Sequence, residues 1–173
     1  MQKNKRGALY QHNRRRQSIG LKLRYGLFCF VCAYSTFSAA SVLAPETRDA
    51  VVHQVLIRFW GLATLPNGQV IQPSNVRERN QPPISPAMVN QIVDVGELSG
   101  LAEWCHLDWQ MNYLGITEAA QRRHLSSEQQ AFIDMLHRST KDTVVFGLKA
   151  QKCNQVERAR TVEKLRLSPN NHL

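Results

Sequence analysis

The chain has 173 residues, a length that fits one domain with or without a tail, and its formal net charge of +9 suggests nucleic-acid binding at first sight. The position of the charge argues against that function. Eight of the 22 lysine and arginine residues precede residue 41, where no acidic residue occurs, so residues 41–173 carry 14 basic and 13 acidic residues. A body with a net charge of +1 lacks the basic surface that phosphate binding requires, and we expect no nucleic-acid partner.

Residues 1–40 have the layout of a secretory signal peptide. Basic residues extend to Arg24, an apolar run covers 25–37, and small residues end the segment at 38–40. We predict cleavage after Ala40. Cleavage after Ala44 also follows a small residue, but a proline comes next. Arg15 and Arg16 leave a twin-arginine export signal open as an alternative.

An uncleaved membrane anchor is the other interpretation of the leader. Residues 25–44 are about long enough to span a bilayer, and contact with the inner membrane is expected only in this case. Positive charge before the apolar run places the body outside the cytoplasm with either interpretation. We therefore predict a periplasmic or secreted protein whose body is residues 41–173.

The body begins with a predicted helix over 45–63. Pro45 suits a first helical turn, and Glu46 and Asp49 suit the positive end of the helix dipole. The expected apolar face consists of Val51, Val52, Val55, Phe59 and Leu62.

Residues 64–85 are predicted to form a loop or a small hairpin. Asn67-Gly68 between two short apolar pieces is a strong hairpin signal. Four of the seven prolines follow over 73–86 without apolar periodicity, which favours a loop.

The next helix is expected to begin at Pro86, with Ser85 as its N-cap. Gly96 and Gly100 are interpreted as a helix boundary, although their spacing would also permit close helix packing. A further helix over 100–114 is predicted to form the centre of the core. Its apolar stripe would consist of Leu98, Leu101, Ala102, Cys105, Trp109, Tyr113 and Ile116.

Two capping boxes predict the starts of the last two helices. Ser126 with Gln129 precedes an apolar face that continues to Leu148, and Asn154 with Glu157 precedes the final helix. That final helix is predicted to bury Val156, Ala159, Val162 and Leu165. The chain is thus expected to be all-α, a bundle of four to five helices.

Cys105 and Cys153 are the two cysteines of the body, and an exported protein with two cysteines favours a disulfide. A bond between them would staple the central helix to the last one. The alternative is a reactive thiol, which needs a base or an electropositive setting. Cys105 instead has Glu103 and Asp108 nearby, so we predict a structural disulfide.

We expect no catalytic, cofactor-binding or metal-binding residues. His106 and Asp108 are two positions apart and would point to different sides of a helix, so they cannot easily share an ion. His124 and His137 lie on separate segments and match no ligand spacing. A phosphate-binding glycine loop and a nucleophile elbow are also missing from the sequence.

The spacing of Gly100, Ala102, Cys105, Asp108 and Trp109, together with the second cysteine, resembles a pattern found in small exported all-helical bacterial proteins of uncharacterised function with one disulfide. The resemblance implies a helical periplasmic domain and no catalytic residues. Secretion pilotins are similar in size and helix content, but they are usually lipoproteins and this chain lacks a lipid-attachment signal.

These observations together favour a non-enzymatic accessory or adaptor protein that binds another exported protein. The 64–85 segment is the expected contact surface. A small periplasmic hydrolase or metal-dependent enzyme is the first alternative, and it would require a concave site with convergent polar groups. An immunity-type inhibitor is the second, and it would require an exposed acidic or aromatic knob.

Overall fold

The structure is a computed structural model that describes residues 41–168. The predicted leader lies outside these residues. The described part is all-helical, as predicted, and contains one isolated antiparallel bridge in place of a sheet. Its helices are α1 (Pro45–Leu62), α2 (Val76–Arg79), α3 (Pro86–Trp104), α4 (Gln110–Arg122), α5 (Ser127–Leu148) and α6 (Gln155–Leu167). None of them is both long and apolar enough to cross a membrane.

Helix α1 starts at Pro45, as predicted, and buries Val51, Val55, Leu56 and Phe59. Its last turn is distorted, because Trp60 leaves helical geometry and Gly61 adopts a φ of 89°, which favours glycine. Leu62, expected on the buried face, is 74% exposed as a result.

The 64–85 segment follows α1 and holds a small hairpin-like turn. Thr64 forms the antiparallel bridge with Val70, and Gly68 takes a φ of 81° at the turn. The single-turn helix α2 comes next, with Asn75 accepting a hydrogen bond from the backbone N–H of Glu78. The one-turn helix was not predicted, since four residues are too few to show a period.

Helix α3 begins where the sequence predicts, with Ser85 capping and Pro86 in the first turn. The predicted boundary at Gly96 and Gly100 is wrong, because α3 continues through both residues and both are buried. A Cβ added to Gly96 would lie 2.7 Å from Cβ of Thr140, and one added to Gly100 would lie 2.6 Å from Cβ of Val144. The two glycines therefore allow α3 and α5 to approach closely.

The predicted central helix over 100–114 is also wrong. Helix α3 ends at Trp104, and His106 adopts a φ of 55°. The N–H groups of His106 and Leu107 donate to the carbonyls of Glu103 and Ala102, which is the hydrogen-bond pattern of a Schellman motif. The predicted stripe is consequently divided between two helices.

Helix α4 ends in the same way as α3. His124 has a φ of 54°, and the N–H groups of His124 and Leu125 donate to the carbonyls of Gln121 and Ala120. Histidine is among the residues that enter the left-handed region more readily than most. His106 and His124, which are both exposed, thus terminate helices.

Both predicted capping boxes are confirmed at the starts of α5 and α6. The core lies chiefly between α1, α3 and α5, where the rings of Phe59 and Phe132 meet edge to face at 5.1 Å. The other large side chains with at most 1% exposure in this cluster are Val55, Ile92, Val93, Ile133 and Leu136.

The predicted buried face of α6 is wrong. Val156 and Val162 are 59% and 46% exposed, whereas Thr161 is buried. The Thr161 hydroxyl lies 3.9 Å from the sulfur of Cys105, and Arg158 donates to the carbonyl of Cys105. Helix α6 is therefore anchored to the end of α3 by a threonine and an arginine, which an apolar period does not reveal.

We expect Gly96→Ala and Gly100→Ala to destabilise the protein, because the overlap with α5 costs about 1–3 kcal/mol or more and exceeds the gain of about 1 kcal/mol in helix propensity. Gly147→Ala is the matched control, since no atom lies within 4 Å of the added Cβ. Urea unfolding should show losses for the first two variants and no loss for the control. Equal stability of all three would contradict the close contact.

Candidate functional site

A polar cluster lies between α3, α4 and α5 on the side of the bundle near Trp109. At its centre, Nε2 of His137 lies 2.9 Å from Oγ of Ser99, and both residues are 0% exposed. The rings of Tyr113 and Trp109 lie 5.1 Å and 6.1 Å from the imidazole. The α3–α5 contact brings the serine and the histidine together, and the start of α4 covers them with aromatic rings.

The edge of this cluster carries charged groups that neutralise one another. The Tyr113 hydroxyl donates to Asp134, which also accepts from Nε of Arg138 at 3.1 Å. Nζ of Lys141 lies 4.7 Å from the centre of the Trp109 ring and pairs with Glu103 and with Asp142. Asp134, Arg138 and Asp142 are spaced by four residues along α5, and Asp134 binds both Arg138 of this helix and Tyr113 of α4.

Burial determines the protonation of the central histidine. It lowers the pKa of His137 to about 4, with a smaller opposing effect from Asp134. Burial and the hydrogen bond to Asp134 raise the pKa of the Tyr113 hydroxyl. Burial also lowers the pKa of Lys141, but the hydrogen bonds to Glu103 and Asp142 outweigh it and the net pKa is raised. His137 is therefore neutral at pH 7, whereas Lys141 is charged.

A serine beside a histidine is the pairing of a nucleophile and its base, but this pair lacks the other requirements for catalysis. Ser99 is completely buried, so a substrate cannot reach its oxygen. Nδ1 of His137 has no hydrogen-bond partner in the described residues, and Asp134 binds Tyr113 and Arg138 rather than orienting the imidazole. The geometry is that of a polar contact between packed helices.

The two cysteines of the body lie next to each other. Their Cα atoms are 5.1 Å apart and their sulfur atoms are at disulfide-bonding distance. Cys105 is 1% exposed and caps α3, while Cys153 precedes α6. The Trp104 indole N–H donates to the carbonyl of Gln151 at 3.1 Å and holds the same two segments together. A disulfide between these two cysteines would link the end of α3 to the start of α6.

The residues considered as metal ligands do not converge. His106, Asp108 and His124 are exposed, and the Asp108 carboxylate accepts from the backbone N–H of Gln110. His137 is buried at the centre of the polar cluster. Between residues 41 and 168, no group of three or more His, Cys, Asp and Glu side chains is placed to hold a metal ion.

Two surface grooves border the proline-rich end of the 64–85 segment. The first groove has a volume of about 380 Å³ and lies between this segment, α1 and the start of α3. Its lining includes Arg48, His53, Pro82 and Ile84. The second groove has a volume of about 550 Å³ and lies between the segment, the end of α1 and the start of α5. We call the second one the Trp60 groove, and its lining residues are Trp60, Asn75, Arg77, Glu78, Gln81, Pro82, Pro83, Ser126, Glu128 and Gln129.

The Trp60 groove combines an indole donor with two carboxylates. The indole N–H of Trp60 is buried and has no hydrogen-bond partner in the described residues. Burial, followed by the charge of Glu78, raises the pKa of Glu128. Gln129 donates to the carbonyl of Pro83 at 2.9 Å and thereby pins the loop to α5. The sequence indicated the loop, but not Trp60 or Glu128, which approach it only in the folded chain.

The chain was also compared with known proteins. No protein-family model matches it, and neither the curated proteins nor the solved structures gave a significant match. The functional argument therefore depends on the residues themselves.

We expect Cys105→Ser and Cys153→Ser to destabilise the protein by a similar amount, about 4 kcal/mol for a closed loop of this length. The double variant should lose no more than about either single variant, because the shared bond is lost only once. Thermal or urea unfolding measures the three losses. Additive losses, or free-thiol labelling of both cysteines in the folded protein, would contradict the disulfide.

The buried imidazole predicts a loss of stability in mild acid. The pKa of His137 falls from an ordinary value of 6.5 to about 4 on folding. The buried neutral imidazole therefore makes its full contribution to the free energy of unfolding above about pH 6.5, and this contribution is lost as the pH falls toward 4. The loss should reach about 3 kcal/mol. His137→Gln should reduce the pH dependence of the free energy of unfolding over this range. His53→Gln, at an exposed histidine, is the matched control for the substitution itself.

Proposed function

We propose that this protein is an exported, non-enzymatic adaptor that binds a segment of another exported protein in the Trp60 groove. The observation that supports the proposal best is the groove itself, which is lined by Trp60, by Pro82 and Pro83 of the 64–85 segment, and by the carboxylates of Glu78 and Glu128.

The charges of the groove suggest the chemistry of the partner. Glu78 and Glu128 both line it, and the pKa of Glu128 is raised partly by the negative charge of Glu78. A lysine or arginine between the two carboxylates would relieve this repulsion. A partner segment that carries a basic side chain therefore fits the groove better than an acidic one.

Apolar side chains near the groove favour a protein partner. Pro82 and Pro83 form part of the lining, and Leu62 and Val76, which neighbour lining residues in the sequence, are 74% and 77% exposed. Apolar surface that folding leaves exposed contributes to affinity when a partner covers it. The nearly neutral body gives no corresponding support to nucleic-acid binding.

A hydrolase is less well supported, because the one buried Ser–His pair described above has no access for a substrate. An immunity-type inhibitor would use an exposed aromatic knob, and Phe146 is 67% exposed. Nζ of Lys149, however, lies 3.7 Å from the centre of the Phe146 ring and covers one face of it. The groove remains the better candidate for a contact surface.

The proposal can be tested by site-specific photo-crosslinking of the exported full chain in its native host. A photoreactive residue at Gln81, in the groove, should give a discrete crosslinked product whose partner peptide contains lysine or arginine. The same residue at Gln121, exposed on α4, serves as the positional control. Equal crosslinking patterns at the two positions would contradict the proposal.

A charge variant tests the chemistry of the groove. Glu128→Gln should weaken binding of the captured partner by at least about fivefold, because it removes a carboxylate from the contact. Glu46→Gln is the matched control, since Glu46 also occupies the first turn of a helix but is exposed and lies outside the groove. Calorimetry or surface plasmon resonance measures the change, and equal affinities would exclude a role for Glu128.

A further inference from the structure

Glu97 carries a carboxylate on α3 that is buried beneath the first residues of the body. The residue is 4% exposed. Its oxygens accept a hydrogen bond from the backbone N–H of Val42 at 2.7 Å, and the Ser41 hydroxyl oxygen lies 2.9 Å and 3.0 Å from them. Nε of Arg48 lies 3.1 Å from Oε1. Within the described part of the chain, the donors to this buried group thus come from residues 41–48.

The charges around Glu97 do not balance. Arg48 pairs with Glu97 and also with Asp94, so two carboxylates from α3 share one guanidinium from α1. A buried carboxylate is costly unless it is fully paired, and the side chain of Asp94 is 64% exposed whereas that of Glu97 is 5% exposed. The site would therefore be stabilised by one more positive charge, placed next to Glu97.

The backbone nitrogen of Ser41 lies close enough to supply that charge. Consecutive backbone nitrogens are at most about 3.6 Å apart, so with Val42 N at 2.7 Å the Ser41 nitrogen lies within roughly 6 Å of Oε2. In an uncleaved chain this nitrogen is a neutral amide. A peptidase that hydrolyses the Ala40–Ser41 bond consumes one water and leaves a carboxylate on Ala40 and an amine on Ser41. That amine is largely protonated at neutral pH, since its ordinary pKa is about 7.7–8.0.

We propose that Glu97 binds the α-ammonium group created by cleavage between Ala40 and Ser41, so that removal of the leader completes the charge balance of the folded body. The proposal rests on the export step of the proposed function and assigns the processing site. Cleavage after Ala44, the other small-residue position, fits the structure less well. It would remove Ser41 and Val42 and leave a buried carboxylate with Arg48 as its remaining donor among these residues.

The proposed ion pair predicts how the stability of the folded protein depends on pH. Pairing with a carboxylate raises the pKa of the amine in the folded protein, and Arg48 from α1 and Asp94 and Glu97 from α3 are the charged groups that face it. The stabilisation is therefore present below the unfolded value of about 8 and is lost as the pH rises through the higher folded value.

The experiment uses the full chain, expressed in a bacterium that exports it. Intact-mass and peptide mass spectrometry identify the first residue of the exported product. A limiting amount of an acylating reagent at pH 7 then measures the reactivity of its α-amine, first in the native protein and then in concentrated guanidinium. Glu97→Gln is the test variant, and Glu46→Gln, an exposed glutamate close to Ser41 in sequence, is the matched control.

We expect the product to begin at Ser41 and its native amine to react about tenfold more slowly for each unit by which the pKa is raised. Glu97→Gln should abolish this protection, and Glu46→Gln should keep it. The native-to-denatured ratio of the unmodified sequence gives the same answer without a variant, should Glu97→Gln fail to fold.

Three results would overturn the inference. An exported product that begins at Pro45, or one that retains the leader, would remove the proposed ammonium and leave export itself intact. A product that begins at Ser41 with an equally reactive amine in the native and denatured states would refute the pairing alone. Retention of an unprocessed chain in the cytoplasm would refute both the pairing and the export step on which the adaptor proposal depends.

Discussion

The close contact between α3 and α5 is the constraint on which the rest of the described structure depends. Gly96 and Gly100 bring the α3 backbone so near α5 that an added Cβ would overlap Thr140 or Val144. Tight packing gains dispersion energy but leaves no room for a mismatch, so the register of the two helices is fixed. Ser99 and His137 then meet at 2.9 Å without access to water, because both lie in this contact. The close packing that places Ser99 beside His137 therefore also prevents a substrate from reaching them.

The sequence predicts those parts of the fold that depend on local chemistry. The caps at Ser85, Ser126 and Asn154 were found correctly, since a cap is a contact within three residues of the chain. The break at His106 was not found, because its Schellman hydrogen bonds can form around any residue that tolerates positive φ. Gly96 and Gly100 were misinterpreted for a different reason. Whether a helical glycine ends a helix or admits a neighbour depends on what packs against it, and that neighbour lies about 40 residues away in sequence.

The candidate sites were harder to predict than the fold. The two cysteines of the body can be paired from the sequence because they allow only one pairing. The structure places their sulfur atoms next to each other. Glu97 is an acidic residue, yet it is buried, because residues 41–48 cover it with polar donors. Trp60 and Glu128 are separated by 68 positions and line one groove only after α1 and α5 have packed together. Composition and periodicity carry no information about such encounters between polar groups.

Helix α3 contacts a segment that precedes it in the sequence and another that follows it. Residues 41–48 bind Glu97 in the second half of α3. At the C-terminus of α3, Cys105 lies at disulfide-bonding distance from Cys153, and its carbonyl accepts a hydrogen bond from Arg158 of α6. Anchoring both segments to one buried helix restricts their local unfolding. The 64–85 segment has no comparable anchor along its length and is held by its hairpin hydrogen bonds, by Ile71 and Ile84 in the core, and by the contact of Pro83 with Gln129. A loop pinned in this way is preformed, so a partner that filled the Trp60 groove, as proposed, would lose little conformational entropy.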